Sequence, residues 1–251
     1  MHCCPKSALW NHLRRWVLSS RPRVAIFTTG DELRSLGEPL LPGEIYDSNR
    51  YTIQGMLSRL DVAVKDLGVI RDQRDAVRSA LRQASHSADV VISSGGASVG
   101  DTDFIKQTLD ELGQVDFWQI AMKPGKPLAF GKVDNALFFG LPGNPVSVMA
   151  TFYQFVQPAL RRLMGESVAP PLMMKAMCAD RLKKTPGRTE FQRGRVCNDG
   201  NGNLLVQSTG NQGSGVLTSM SQANCFIVLP AECESVQPGS LVDIQLFDGL
   251  V

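Results

Sequence analysis

What this 251-residue chain lacks narrows its chemistry first. Histidine occurs three times, at His2, His12 and His86, with no spacing that would gather imidazoles. A zinc site built on nitrogen and sulfur is not expected, and any metal should be a hard cation held by oxygen. The six cysteines, Cys3, Cys4, Cys178, Cys197, Cys225 and Cys233, include no C-x-x-C pair. A chain with 43% hydrophobic residues can build its own core without disulfides, so reduced thiols and a cytoplasmic location are the expectation. The net charge of +2, with no basic run interleaved with aromatics, argues against a nucleic-acid partner. No apolar run reaches the ~20 residues needed to cross a bilayer, so no membrane partner is expected. Residues 1–20 are basic, acid-free and broken by Asn11, His12, Arg14 and Arg15, which excludes a signal-peptide core. They are faintly like a transit peptide, and a loosely attached terminus is expected there.

From Arg21 to Glu166 strands alternate with helical patterns. Val24–Thr28, Val62–Ile70 and Val90–Ser93 read as strands, Asp75–Ala84 and Phe104–Leu112 as helices. Asp47 or Ser48 should cap a helix carrying Ile53, Met56, Leu57 and Leu60 at helical spacing. Phe117–Met122, Leu128–Gly131 and Ala136–Gly140 read as further strands, the last two as a hairpin. A long helix should start at Asn144–Pro145, with Asn as cap and Pro at the first position, and Pro158 should kink or divide it. This alternation predicts an α/β domain over residues 21–166, a mostly parallel sheet with helices on both faces. Ala169–Pro171 reads as a linker. Beyond it, residues 171–251 carry short strands at Met173–Cys178, Glu190–Val196, Leu204–Gln207, Gly215–Met220, Cys225–Leu229 and Leu241–Leu246, with Asn198–Asn203 (NDGNGN) as a hairpin turn. No helix period is evident, which predicts a small all-β, barrel-like domain.

The chemistry concentrates at strand ends. In Ala88–Asp103 (ADVVISSGGASVGDTD) a buried strand runs into Ser93, Ser94, Gly95 and Gly96, followed by Asp101 and Asp103. Glycines allow backbone N–H groups to approach an anion, and a following helix would aim its positive end there. Two acids beside such a cradle make sense if Mg²⁺ neutralises a phosphate. The plainer reading is a tight turn with Asp101 as a helix cap. Thr29–Glu32 (TGDE), Arg71–Asp72 and Leu141–Pro145 (LPGNP) follow other strands, and in an open α/β sheet such loops share one rim. Asp31, Asp47 and Asp72 could each be only a cap. Carboxylates recurring along one rim repel each other unless a cation is present, however. Lys123–Pro127 (KPGKP) sets two lysines on a proline-stiffened loop suited to an oxyanion, or exposes an ordinary turn. Arg181–Arg195 (RLKKTPGRTEFQRGR) reads as a solvated hairpin, with an anion or partner surface as the lesser reading.

Taken together, TTGDEL, IYDSNR, IRD, SSGGASVGDTDF, KPGKP, GLPGNPVS and KKTPGRTEFQRG, in this order, resemble the molybdopterin molybdenumtransferase family over Arg21–Leu246. SSGG…GD…D alone also fits the related molybdopterin adenylyltransferases; the trailing β domain and the KPGKP and PGNP loops favour the molybdenumtransferase branch. The resemblance implies a Mg²⁺-assisted reaction in which molybdate enters the dithiolene of adenylylated molybdopterin and AMP is released. It places functional positions on Glu32, Asp72, Asp103, Lys123, Pro142 and Pro145, with Asp72 and Asp103 as metal ligands. Ser94, Gly95 and Gly96 would hold the pterin-linked phosphate. Lys123 and Lys126 would attract molybdate or stabilise phosphate charge. Thr29, Gly30, Asp47, Ser98, Gly100, Asp101, Gly143 and Asn144 complete the expected pocket. Gln119 stands where some relatives carry a lysine.

Family members also carry an N-terminal pair of domains, and Met1–Ser20 matches nothing in it. Their active site is shared between the α/β domain of one subunit and that region of the other, within a homodimer. The expectation is therefore a chain that binds molybdopterin or its adenylylated form but inserts molybdate slowly or not at all. A non-catalytic molybdopterin-binding module and an adenylyltransferase-like enzyme are the alternatives.

Overall fold

The computed structural model describes residues 21–95 and 104–247. They fall into two compact units. The first runs to Ile120 and resumes over Gly125–Val168; the second holds Ala121–Pro124 and the chain from Ala169 onward.

In the first unit β1 (Arg23–Thr29), β4 (Ala63–Ile70), β5 (Val90–Ser94), β6 (Gly113–Gln119), β8 (Pro127–Val133) and β9 (Ala136–Leu141) form one sheet in the order β4-β1-β5-β9-β8-β6. The pairings β4–β1, β1–β5 and β5–β9 are parallel; β9–β8 and β8–β6 are antiparallel. A mostly parallel sheet covered on both faces is thus what the alternation gave, extended by a meander at one edge. Every residue of β5 is buried, as a central strand covered on both sides requires.

The helices take opposite faces. α2 (Arg74–Ser87) and α3 (Phe104–Leu112) bring Val77, Leu81, Ala84, Ile105 and Leu109 onto Ala25, Phe27, Val91 and Phe138. The other strand face carries Ile26, Ile92 and Phe139, all buried. Here lies α1 (Ser48–Leu57), which contacts β1 and α4 (Pro145–Thr151). Asp47 caps α1 by accepting the Arg50 N–H, so the cap falls on Asp47 and not on Ser48. Asn144 holds the cap position of α4 and Pro145 its first turn, though the Asn144 side chain makes no capping bond. The long helix is divided as Pro158 foretold. A π-type turn over Phe152–Val156 separates α4 from α5 (Gln157–Leu163), because Pro158 cannot donate an amide to the preceding turn. An excursion after β1 pairs two short strands, β2 (Leu33–Arg34) and β3 (Ile45–Tyr46), in parallel.

The second unit is a closed barrel. β10 (Met173–Cys178), β11 (Thr189–Asn198), β12 (Leu204–Ser208), β13 (Cys225–Leu229) and β14 (Leu241–Leu246) follow the order β12-β10-β14-β13-β11, and β11 pairs back to β12. Closure leaves no open edge among these five strands. Ala176, Cys178, Val206, Cys225, Ile227, Val242 and Ile244 fill the interior. The NDGNGN hairpin joins β11 to β12, with the Asp199 carboxylate accepting the N–H groups of Asn201 and Asn203.

Three expectations need correcting. Phe117–Met122 is not one strand: β6 ends at Gln119, and β7 (Met122–Lys123) belongs to the second unit, paired in parallel with Thr189 and Glu190 of β11. Gly215–Met220 is not a strand but leads into a single helical turn, α6 (Thr218–Ser221). Arg181–Arg195 is not a solvated hairpin, for Lys184, Glu190, Gln192 and Arg193 are all buried. The last two share one cause. The Arg193 guanidinium donates to the carbonyls of Asn211 and Gly213 and to Ser219 Oγ, winding Asn211–Ser219 around the buried charge. Burial also pushes the Arg193 pKa down to about 10.

Candidate functional site

The parallel strands bring four loops to one rim of the first unit. Along the last rungs, Thr29 lies beside Ile70, Thr28 beside Ser94, and Ser94 beside Leu141. The turns after β1, β4, β5 and β9 therefore leave the sheet side by side, at the carboxyl ends where open α/β sheets bind ligands.

Backbone contacts knit these turns together. Gly95 has φ +90°, and a Cβ there would lie 2.7 Å from both the carbonyl and the hydroxyl oxygen of Thr29. Only glycine lets the loop after β5 pass so close to the turn after β1. Gly30 has φ +155°, and a Cβ there would meet the Glu32 carboxylate at 2.8 Å. Ser94 Oγ donates to the Pro142 carbonyl at 3.2 Å and accepts from Asn49 Nδ2 at 3.0 Å. The same Nδ2 donates to the Gly143 carbonyl at 2.6 Å.

Three acids share the β1–β4 side of this rim. Asp31 and Glu32 are exposed, and Asp31 Oδ1 accepts the Asp72 backbone N–H at 3.1 Å. Partial burial, and then the charges of Asp31 and Glu32, raise the Asp72 carboxyl above its ordinary value. The local field thus favours a proton, or another cation, at Asp72. Among the described residues no group of three or more His, Cys, Asp or Glu is arranged to hold a metal ion.

Asp47 is the exception among the rim acids. It is buried, accepts from Thr28 Oγ1 and the Arg50 N–H, and lies 3.7 Å from Arg50 Nε. Its oxygens are engaged within the fold. Pro142 is buried, Pro145 half-buried, and Gly143 and Asn144 are exposed on the β9–α4 turn. Gly96, Ser98, Gly100, Asp101 and Asp103 lie outside the described residues.

The lysines of KPGKP part company. Lys126 stays in the first unit, where its carbonyl accepts the Ile120 N–H at 2.7 Å. Lys123 is on β7 of the second, not on a loop of the α/β sheet, because Met122–Lys123 adds to β11. Its Nζ lies 3.3 Å from Glu190 Oε1, and Gln192 Nε2 holds the other oxygen of that buried carboxylate at 3.0 Å. Glu190 escaped the sequence reading because 67 residues separate it from Lys123. Asn49 also escaped it, although its place two residues after a cap was a signal.

Known proteins resemble this chain along both units. A family model described as "Probable molybdopterin binding domain" matches residues 25–162, and one described as "MoeA C-terminal region (domain IV)" matches residues 175–247. The molybdopterin molybdenumtransferase of Haemophilus influenzae is 46% identical over 230 residues, covering 91% of this chain and 57% of the relative. That of a Nostoc species is 38% identical over 215 residues, covering 84% of this chain and 49% of the relative. The crystal structure of the molybdopterin biosynthesis MoeA protein from Pyrococcus horikoshii superposes with a TM-score of 0.77 at 31% identity, over 90% of this chain and 55% of that one. The chain spans about half the length of the curated relatives it matches. With the first family model covering more than half of its residues and the second matching its barrel, the chain belongs to the molybdopterin molybdenumtransferase family.

Proposed function

We propose that this chain carries the pterin-nucleotide site of a molybdenumtransferase, at which molybdate enters the dithiolene of adenylylated molybdopterin and AMP departs. The observation that carries the reading is the rim itself. Like charges at Asp31, Glu32 and Asp72 face each other beside a glycine loop that only a bare backbone can form. A phosphate-bearing substrate accompanied by a cation answers both features, since the backbone takes the anion and the acids take the cation. The names of the relatives support molybdopterin as the pterin and molybdenum as the element transferred.

Ser94, Gly95 and Gly96 would cradle the phosphate. Thr29, Gly30, Ser98, Gly100 and Asp101 would close the loop around it, and the Pro142–Pro145 turn would fix the pocket mouth. Glu32 and Asp47 would serve the rim from the β1 side, Asp47 chiefly by setting the start of α1. Lys126 would attract molybdate or offset charge on the leaving phosphate. Lys123 belongs to the second unit, where the buried Glu190 holds its ammonium.

The residues fit Mg²⁺ in donor chemistry, because Asp72 is an oxygen ligand whose neighbours favour a positive partner. Asp72 with Asp103 would hold the ion, which when bound would neutralise phosphate charge. A cytoplasmic location belongs to the same reading; separately, among the described residues no helix is long and apolar enough to cross a membrane. A homodimer is the partner state the family suggests.

The test is binding followed by turnover. Purified protein should bind adenylylated molybdopterin and release AMP only when molybdate and Mg²⁺ are both present. Asp72→Asn and Lys126→Ala should each lower that release at least tenfold, the loss of one well-placed charged group. No binding of either pterin species, or AMP release indifferent to molybdate, would overturn the assignment.

A further inference from the structure

Asn49 occupies the first turn of α1, two residues beyond the Asp47 cap, yet its side chain is spent elsewhere. Its Nδ2 donates both to Ser94 Oγ at 3.0 Å, 45 residues away, and to the Gly143 carbonyl at 2.6 Å, 94 residues away. Ser94 Oγ closes the circuit by donating to the Pro142 carbonyl at 3.2 Å. One amide therefore ties the start of a helix, the end of the central strand and the turn entering α4. Its other polar atom, Oδ1, is buried with no hydrogen-bond partner. A buried acceptor left unmet is unfavourable, so the two donor bonds, not the acceptor, dictate how this amide is oriented.

We propose that Asn49 is a positioning residue: its amide sets the separation between the Ser94–Gly95 loop and the Pro142–Pro145 turn, and so the width of the rim. Ligand-binding groups act only when held within a fraction of an ångström of their working geometry. Gly143 is exposed, and a Cβ placed on it would meet nothing within 4 Å. The hydrogen bond from Asn49 therefore supplies an anchor that packing does not. Aspartate has the same shape but no donor, and would set a carboxylate oxygen against the Gly143 carbonyl. Alanine removes the tie altogether.

The identity of the ligand rests on the function proposed above; the tie between the loops does not. Two measurements separate them, each made on the full chain as Asn49→Asp and Asn49→Ala. Amide hydrogen exchange should quicken about five- to tenfold in peptides covering both Val90–Gly95 and Leu141–Val146, as expected for one lost hydrogen bond. Affinity for AMP with Mg²⁺ should fall about tenfold while the melting temperature stays within about 3 °C of the parent. Ser85→Ala removes a buried hydroxyl bonded to Asp134 on the opposite sheet face, and should lower the melting temperature without changing AMP affinity. Unchanged exchange in either peptide overturns the proposal, as does faster exchange with AMP affinity intact. Should the parent itself ignore AMP, the ligand assignment fails, and the exchange data alone decide whether Asn49 couples the loops.

Discussion

The two units handle charge in opposite ways. In the α/β unit Asp31, Glu32 and Asp72 stand near one another on a rim with no ion pair among the described residues to relieve them, and partial burial together with the two neighbouring charges raises Asp72 above its ordinary value. In the barrel the charged groups go inside and are met there: Arg193 by two carbonyls and a hydroxyl, Glu190 by Lys123 and Gln192. Burying a charge is tolerable only with such partners, so the barrel's charges read as architecture. Like charges left facing each other work against the fold unless a ligand answers them, so the rim's charges read as a site.

That contrast is open to measurement. The largest effect should come from Arg193→Ala. It strands the Asn211 and Gly213 carbonyls and Ser219 Oγ, and should destabilise the barrel by about 2–4 kcal/mol in urea unfolding. A loss below about 0.5 kcal/mol, the range of an ordinary surface change, would mean the guanidinium is not structural. Next comes Gly95→Ala. The added Cβ meets Thr29 at 2.7 Å on a backbone with φ +90°. About 1–3 kcal/mol of strain is expected in thermal unfolding, with a larger proportional loss of AMP affinity.

Two aspartates at opposite ends of the same sheet sharpen the comparison, since their titrations have opposite signs. Asp89, just before β5, accepts from Arg23 Nε at 3.2 Å and from its NH2 nitrogen at 2.8 Å, which holds its carboxyl below the ordinary value. A depressed acid stabilises the fold above its unfolded pKa and ceases to do so as pH falls through the folded value. Asp89→Asn should therefore lose about 0.5–1 kcal/mol at pH 7, and nothing in strong acid. Asp72 runs the other way. Its folded value is raised, so the fold binds the proton more tightly than the unfolded chain, and stability declines as pH rises through the folded value. Asp72→Asn should raise the melting temperature by about 1 °C at pH 7, a gain that vanishes in acid. Mg²⁺ should raise the melting temperature of the parent and leave that of Asp72→Asn unmoved; equal responses would detach Asp72 from any cation.

Elements whose structure rests on neighbours in sequence were legible. Val90–Ser93 reads as a buried strand because the β-branched Val90, Val91 and Ile92 run without a polar break, and Pro158 announces the division of its helix because its ring has no amide to give. Cys225–Leu229 and Leu241–Leu246 keep their predicted bounds because turn residues flank them. The motif order likewise pointed to the family before any geometry was known. What depended on distant partners was not legible. Gly215–Met220 resembles a strand until Arg193 bends its surroundings into a helical turn. Lys123 resembles a loop residue until β11 supplies it with a strand to join and Glu190 with a counter-charge.

Asp47 and Asn49 show where that division falls. Sequence alone determined that an Asp-Ser-Asn segment would start a helix, because the cap bond closes within three residues. It could not decide between a capping and a ligand-facing Asp47. Nor could it show that Asn49 would reach Ser94 and Gly143, 45 and 94 residues away. Those contacts exist only because parallel pairing sets Thr28, Ser94 and Leu141 on neighbouring rungs, delivering their loops to one edge. Local hydrogen bonding and hydrophobic period are written in adjacent residues. The meeting of loops at a rim is decided by strand order, which is a property of the assembled sheet.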